Sequence, residues 1–157
     1  GVWTRGYKNG DTTVENTTLC YSGEVNGDDS QNISASDKFQ LRAVPYPKAF
    51  SLNGVDVADW TVLTPGKAWQ TFDPDADEFY DNISGWEQQA PQIQIPNADG
   101  SGYTIRFYVS DARDPLYETN LGPGWVGPDG CLADATIPVG IGVWFNARKT
   151  VNVPINK

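Results

Sequence analysis

Between Tyr103 and Val109 the chain reads YTIRFYV, with Tyr103, Ile105, Phe107 and Val109 on one side and Thr104, Arg106 and Tyr108 on the other. Successive side chains of an extended chain project to opposite faces, so this alternation predicts a half-buried antiparallel strand. QIQI from Gln92 reads the same way, Ile93 and Ile95 alternating with Gln92 and Gln94. Further strands are predicted at VWTRGY and TTVENTTLCYSGEV near the start, FQLRAV from Phe39, KAWQTFD from Lys67, GVWFNA from Gly142 and KTVNVPI from Lys149. Turn dipeptides separate them at Asn9-Gly10, Asn26-Gly27, Asn53-Gly54, Pro65-Gly66, Asp99-Gly100 and Asp129-Gly130. No long stretch carries apolar residues at helical spacing without a Gly or Pro inside it. The pattern predicts an all-β fold, an antiparallel β-sandwich or jelly-roll of about 8–10 strands with at most one short helix, forming a single domain over residues 1–157. NGDDSQNISASD, Asn26 to Asp37, reads as an exposed loop, and Pro123 to Gly130 as another.

Charge narrows the partners. Eleven Lys and Arg against 20 Asp and Glu leave a net −9, which repels a nucleic-acid backbone or an anionic membrane. The longest apolar run, Ile137 to Phe145, is broken by Pro138, Gly140 and Gly142, so no membrane insertion is expected. Histidine is absent, which removes Ser-His-Asp and Cys-His nucleophile systems and His-ligated metal sites. The chain opens Gly1-Val2-Trp3 without Met, as a processed product or an excised fragment would. Cys20 and Cys131 lie far apart with no CxxC spacing, and a disulfide between them would close a long loop worth about 4–5 kcal/mol in the chain-entropy model. Two buried thiols are the alternative. With glycosylation sequons at Asn16, Asn32 and Asn82, an extracellular or cell-surface location is expected.

Four constellations carry candidate chemistry. Asp73, Asp75 and Asp77 occupy positions 1, 3 and 5 of a loop that could hold calcium, but Glu78 and Ser84 stand where an EF-hand loop needs Gly and Glu, and a solvated acidic turn is the plainer reading. Of five Glu, no two sit in matched central strands facing one cleft, so a carboxylate pair for glycoside hydrolysis is not expected, and the chain reads as a non-enzyme. Trp125 in GPGWVGP, Trp86 in SGWEQQ and Tyr46 in VPYPK, flanked by Gly, Pro or polar residues, are candidates for stacking on a sugar ring, whereas Trp69 and Trp144 within strands are expected in the core. Finally, both ends read as strands whose open backbone could pair with a second copy, through Val2, Trp3, Thr4 and Tyr7 and through Val151, Val153 and Ile155.

Phe39 to Pro47 (FQLRAVPYP), then AWQTFDPDADEFYD, GPGWVG and IPVGIGVWFNA together resemble secreted β-rich surface domains of bacteria of the planctomycete and verrucomicrobial group. Ala43-Val44 stand where that pattern carries Asn before its first Pro, and Val143-Trp144-Phe145 replace its Phe-Trp. The resemblance implies an exported, non-catalytic structural domain. Together these readings give an expected function: an extracellular subunit that assembles with copies of itself into a filament, tube or surface layer. The alternative is a carbohydrate-binding or adhesive module that uses exposed aromatics. No cofactor is expected beyond a possible calcium ion.

Overall fold

Asp99-Gly100 turns the chain as its sequence requires. Gly100 adopts φ 72°, the Asp99 carboxylate accepts the Ser101 N–H at 2.9 Å, and QIQIP folds back on YTIRFYV with Ile95 opposite Thr104 and Ile93 opposite Arg106. This hairpin is the centre of the fold in a computed structural model that describes residues 30–43, 48–54, 58–69, 85–117 and 119–156.

Nine strands occur among these residues: β1 (Ser30–Ala35), β2 (Gln40–Ala43), β3 (Phe50–Ser51), β4 (Gln92–Pro96), β5 (Tyr103–Arg113), β6 (Asn120–Val126), β7 (Thr136–Ile137), β8 (Gly142–Asn146) and β9 (Val151–Asn156). Helical structure among them is limited to single 3-10 turns at Trp60–Val62 and Trp86–Gln88. The strands β2-β8-β4-β5-β6 form one five-stranded antiparallel sheet, and the pairs β1-β9 and β3-β7 provide the second layer of an all-β sandwich. The layers enclose Phe50, Leu52, Ile93, Ile95, Tyr108, Trp125, Val143, Phe145, Val153 and Ile155. Trp60 meets Phe50, Trp125 and Phe145 edge-on, with centroids 5.9, 5.0 and 6.3 Å away, the arrangement that aromatic quadrupoles favour.

The structure corrects several expectations. Residues 30–35, read as part of a loop, form β1, in which Ile33 and Ala35 pair with Val153 and Val151. Its partner strand supplies most of the apolar surface, and such tertiary pairing overrides weak local propensity. Pro123–Val126 belong to β6, an edge strand whose register against β5 is shifted twice, next to Gly122 at φ 84°. The strand β5 is longer than YTIRFYV and buried on both faces at its centre, because Ala68, Trp86, Ala90, Phe107, Val109, Ala112 and Val126 form a second cluster on the sheet's other side.

Two contacts hold that second cluster on. The segment around Gly66 runs parallel to β5, with the Gly66 N–H donating to Tyr108 O and Ser110 N–H donating to Gly66 O, each at 2.9 Å. A Cβ on Gly66 would lie 2.6 Å from Ala90 Cβ and 2.9 Å from Ala90 Cα, so only glycine permits the approach. Beside it the buried Asp111 carboxylate accepts the backbone N–H groups of Ala68 and Trp69, each at 2.9 Å. In the other layer Asp134 accepts from the Ser51 hydroxyl and, at 2.8 Å, from Asn53 N–H. The Asn53 side-chain amide in turn exchanges two 2.9 Å bonds with the backbone N–H and C=O of Trp125, on the edge of β6.

Gly66→Ala is expected to destabilise the fold by about 2 kcal/mol, read as a lower denaturant midpoint with an unchanged m-value, since overpacked cores lose about 1–3 kcal/mol. Burial works against the Asp134 charge, but the bonds from Ser51, Asn53 and Ala135, with help from Arg106, outweigh it and hold the carboxyl below its usual value. A depressed carboxyl contributes stability that is present above its ordinary value and lost as pH falls through the lowered one. Asp134→Asn is therefore expected to be less stable than the parent at pH 7, with the gap closing below about pH 4, as measured by urea melts across that range.

Candidate functional site

The five-stranded sheet has a second, outward face, and its composition follows from the pleat. Val143 and Phe145 point into the sandwich core, so Trp144 between them points out. On that face the register places Leu41 of β2 opposite Trp144, Trp144 opposite Gln94 of β4, and Gln94 opposite Ile105 of β5. The result is one row across four strands, spanning three strand spacings or about 14 Å. Leu41, Trp144, Gln94 and Ile105 are each partly exposed. Tyr103, 46 % exposed, lies two residues from Ile105 on the same side, and Phe39, 41 % exposed, stands two residues before Leu41. Among the described residues neither Leu41 nor Trp144 belongs to either core cluster. The second cluster therefore covers only the β5–β6 half of this face, while the β2–β8–β4 half presents an indole among aliphatic and amide side chains.

Arg148 borders this platform where the chain leaves β8. It occupies the left-handed region at φ 61°, the sole non-glycine residue with positive φ among the described residues. Its N–H donates to Asn146 Oδ1 at 2.9 Å, and its guanidinium donates to Ala90 O at 2.9 Å and Glu87 O at 3.2 Å. These bonds anchor the Trp86–Gln88 turn against the sheet, where Trp86 meets Phe107 edge-on at 5.1 Å.

A second concavity, of about 930 Å³, opens at one end of the sandwich between the Asn97–Asp99 turn and the segment from Asp134 to Ile141. Its charged groups are committed to the fold. Asp99 caps its own turn, Asp134 latches Ser51 and Asn53, and Arg106 donates to the carbonyls of Ala133 and Ile105 at 2.9 Å and of Asp134 at 3.5 Å. Val139 and Ile141 on its rim are exposed.

The residues expected to act are placed differently. Trp125 is fully buried in the sandwich core and Trp86 is 2 % exposed in the second cluster, so neither presents a ring face to a ligand. The glycines beside them serve the backbone: Gly85 starts the 3-10 turn at φ 74°, and a Cβ on Gly124 would meet Leu132 Cδ1 at 2.8 Å. Trp144, expected in the core, is instead half-buried on the outward face and outside both core clusters. Its signal was parity, since a strand whose Val143 and Phe145 face inward must turn Trp144 outward.

The C-terminal strand is also closed. Val151 and Val153 pair with Ala35 and Ile33, Val153 and Ile155 are fully buried, and the opposite edge of β9 meets Ala58 and takes the Asp59 N–H on Pro154 O at 3.0 Å. One edge of β9 is thus paired along its length with β1, and the other is met within the chain at Pro154 and Ile155. Val2, Trp3, Thr4, Tyr7, Cys20, Tyr46, Asp73, Asp75 and Asp77 lie outside the described residues, while Cys131 is half-buried at an isolated bridge with Arg113. Among the described residues no three His, Cys, Asp or Glu come together as metal ligands, and no helix is long and apolar enough to cross a membrane.

No family model, curated protein or solved structure matches this chain.

Replacing the two indoles separates core from platform. Trp125→Ala is expected to cost about 3–5 kcal/mol, as large-to-small changes at fully buried aromatics do, whereas Trp144→Ala costs about 1 kcal/mol. Paired urea denaturation curves measure both.

Proposed function

We propose that the protein is a non-catalytic carbohydrate-binding module and that the outer face of the five-stranded sheet is its binding platform. The supporting observation is the row Leu41–Trp144–Gln94–Ile105, in which a partly exposed indole stands between an aliphatic side chain and an amide on a rigid sheet. A sugar ring offers C–H groups on its faces and hydroxyls at its edge. The indole packs against the first, and the amides of Gln94 and the nearby Gln92 can donate to and accept from the second. A wholly apolar face would suit a protein partner better, because amides left unpaired in a dry interface carry a desolvation cost. The strands also hold these side chains at fixed spacing before any ligand arrives, which lowers the ordering cost of binding. Self-assembly through paired ends has less support at the C-terminal strand, because β9 pairs with β1 along one edge and meets Ala58 at Ile155 on the other.

Affinity electrophoresis on a panel of plant, algal and microbial polysaccharides tests the reading. The parent protein is expected to be retarded on at least one gel, and Trp144→Ala to run unretarded while keeping the parent's circular dichroism. A parent that passes every glycan unretarded, or a Trp144→Ala variant retarded as strongly as the parent, would overturn it.

A further inference from the structure

Where β6 ends the five-stranded sheet, the sheet's inner face and the 3-10 turn at Trp60–Val62 enclose a pocket of about 290 Å³. Asp59, Trp60 and Thr61 line it from the turn, Asn53 from the segment after β3, and Tyr108 from β5. Most of its polar side-chain atoms are engaged. Asn53 uses both amide atoms on Trp125, Trp60 Nε1 donates to Leu52 O at 2.9 Å, and Asp59 Oδ1 accepts the Thr61 N–H at 3.1 Å and the Thr61 hydroxyl. Two atoms are not engaged: Asp59 Oδ2 and the Tyr108 hydroxyl have no hydrogen-bond partner among the described residues.

Tyr108 is 5 % exposed, with its backbone N–H bonded to Pro91 O and its C=O to Gly66 N–H. A phenol this deep ordinarily finds a partner, because a buried hydroxyl left alone carries a desolvation cost. Phenylalanine would pack there without that cost, so the hydroxyl calls for a partner from outside the chain. Trp125, whose ring lies 5.0 Å from that of Trp60 and 5.4 Å from that of Tyr108, likewise keeps its buried Nε1–H without a partner among the described residues. Burial, with the Asp59 charge nearby, pushes the Tyr108 hydroxyl above its usual value, so at neutral pH it has a proton to give. Asp59 can only accept, whereas Tyr108 can donate and accept. An ammonium group would pair with Asp59 but accepts nothing, which leaves the Tyr108 proton unbonded, and an anion would be repelled by Asp59. Adjacent hydroxyls on a sugar ring donate and accept together, and the half-buried indole of Trp60 offers apolar surface to the ring's C–H groups.

We infer that this pocket holds a single neutral sugar residue, one hydroxyl donating to Asp59 Oδ2 and its neighbour accepting from the Tyr108 hydroxyl. Its volume lies at the small end of ligand pockets, which run from about 300 to 1,000 Å³, so it takes one ring and not a chain. The pocket lies on the opposite side of the sheet from the Trp144 row and shares no residue with it, so it stands or falls separately from the platform. With both sites filled, one molecule would bridge two glycans.

Saturation-transfer difference NMR on the full chain tests it, with the methyl glycosides of glucose, galactose, mannose and xylose as neutral probes and n-butylammonium and methyl glucuronide as charged ones. At least one neutral glycoside is expected to receive saturation and to titrate to a measurable Kd, and the charged probes to bind more weakly. Tyr108→Phe and Asp59→Asn are each expected to weaken that binding about tenfold. Their melting temperatures are expected to stay within about 2 °C of the parent's, because the first removes an unbonded hydroxyl and the second keeps a side-chain oxygen for Thr61. Trp144→Ala is expected to bind the glycoside as the parent does. No saturation of any neutral glycoside, a Kd unchanged in both pocket variants, loss of binding in Trp144→Ala, or a preference for n-butylammonium each overturns the pocket. The platform is judged apart from it, by retardation on the polysaccharide gels and its dependence on Trp144.

Discussion

Phe145 has to be inside. It is 1 % exposed, with its ring 6.3 Å from Trp60 and 6.4 Å from Trp125, and the outward face of the sheet follows from that burial. Strand side chains alternate without exception within a regular ladder, so fixing Phe145 fixes Trp144 on the opposite side. The pairing of Phe145 with Ile93 then carries the same parity through β4 to β5, and the pairing with Gln40 carries it to β2. A one-residue slip of β8 would drive the indole into the core and expose the phenyl ring, which the apolar surroundings of Phe145 strongly disfavour. The aromatic platform is thus a by-product of core packing, held in place by hydrophobic burial on the far side of the same strand.

How much of this was legible depends on which partner defined each element. β4, β5, β8 and β9 declare themselves because their own residues alternate, and the Asp99-Gly100 turn between β4 and β5 carries its own chemistry. β1 does not, since SQNISA has only Ile33 and Ala35 to place in the interior and takes its identity from Val151 and Val153 across the ladder. β6 is hidden by Gly122 and Pro123, residues that mark loops by composition yet here mark an irregular edge. The same ambiguity misplaced the aromatics. Gly and Pro beside Trp125 and Trp86 signal an unusual backbone path, and such a path can bury a side chain as readily as expose it. Trp144 was readable by counting, because its neighbours on both sides are the better core residues. Nothing local in the sequence announces the concavity whose lining comes from the 64–67 segment, Gln89 and the β8–β9 turn.

Strands this short leave much of the fold to side chains that bond to backbone. β3 and β7 are two residues each, and Asp134 completes their pairing by gripping Ser51 and Asn53. Asp111 fastens the Ala68–Trp69 segment, Arg148 fastens the Trp86–Gln88 turn, and Arg106 fastens the chain at Ala133 and Asp134. Each of these charged groups satisfies backbone atoms that a longer strand would have satisfied by a ladder, which buried polar atoms require in one form or another. A sandwich built this way tolerates irregular connections, and it places charged side chains at loop crossings.

Asn53 extends that economy to the sheet boundary. Its amide meets the N–H and the C=O of Trp125 as a neighbouring strand's peptide group would, so the most hydrophobic stretch of β6 is already occupied. An intruding chain seeking to lengthen the sheet there would first have to evict one asparagine and uncover the buried indole it guards, a toll that protects the molecule from edge-to-edge aggregation.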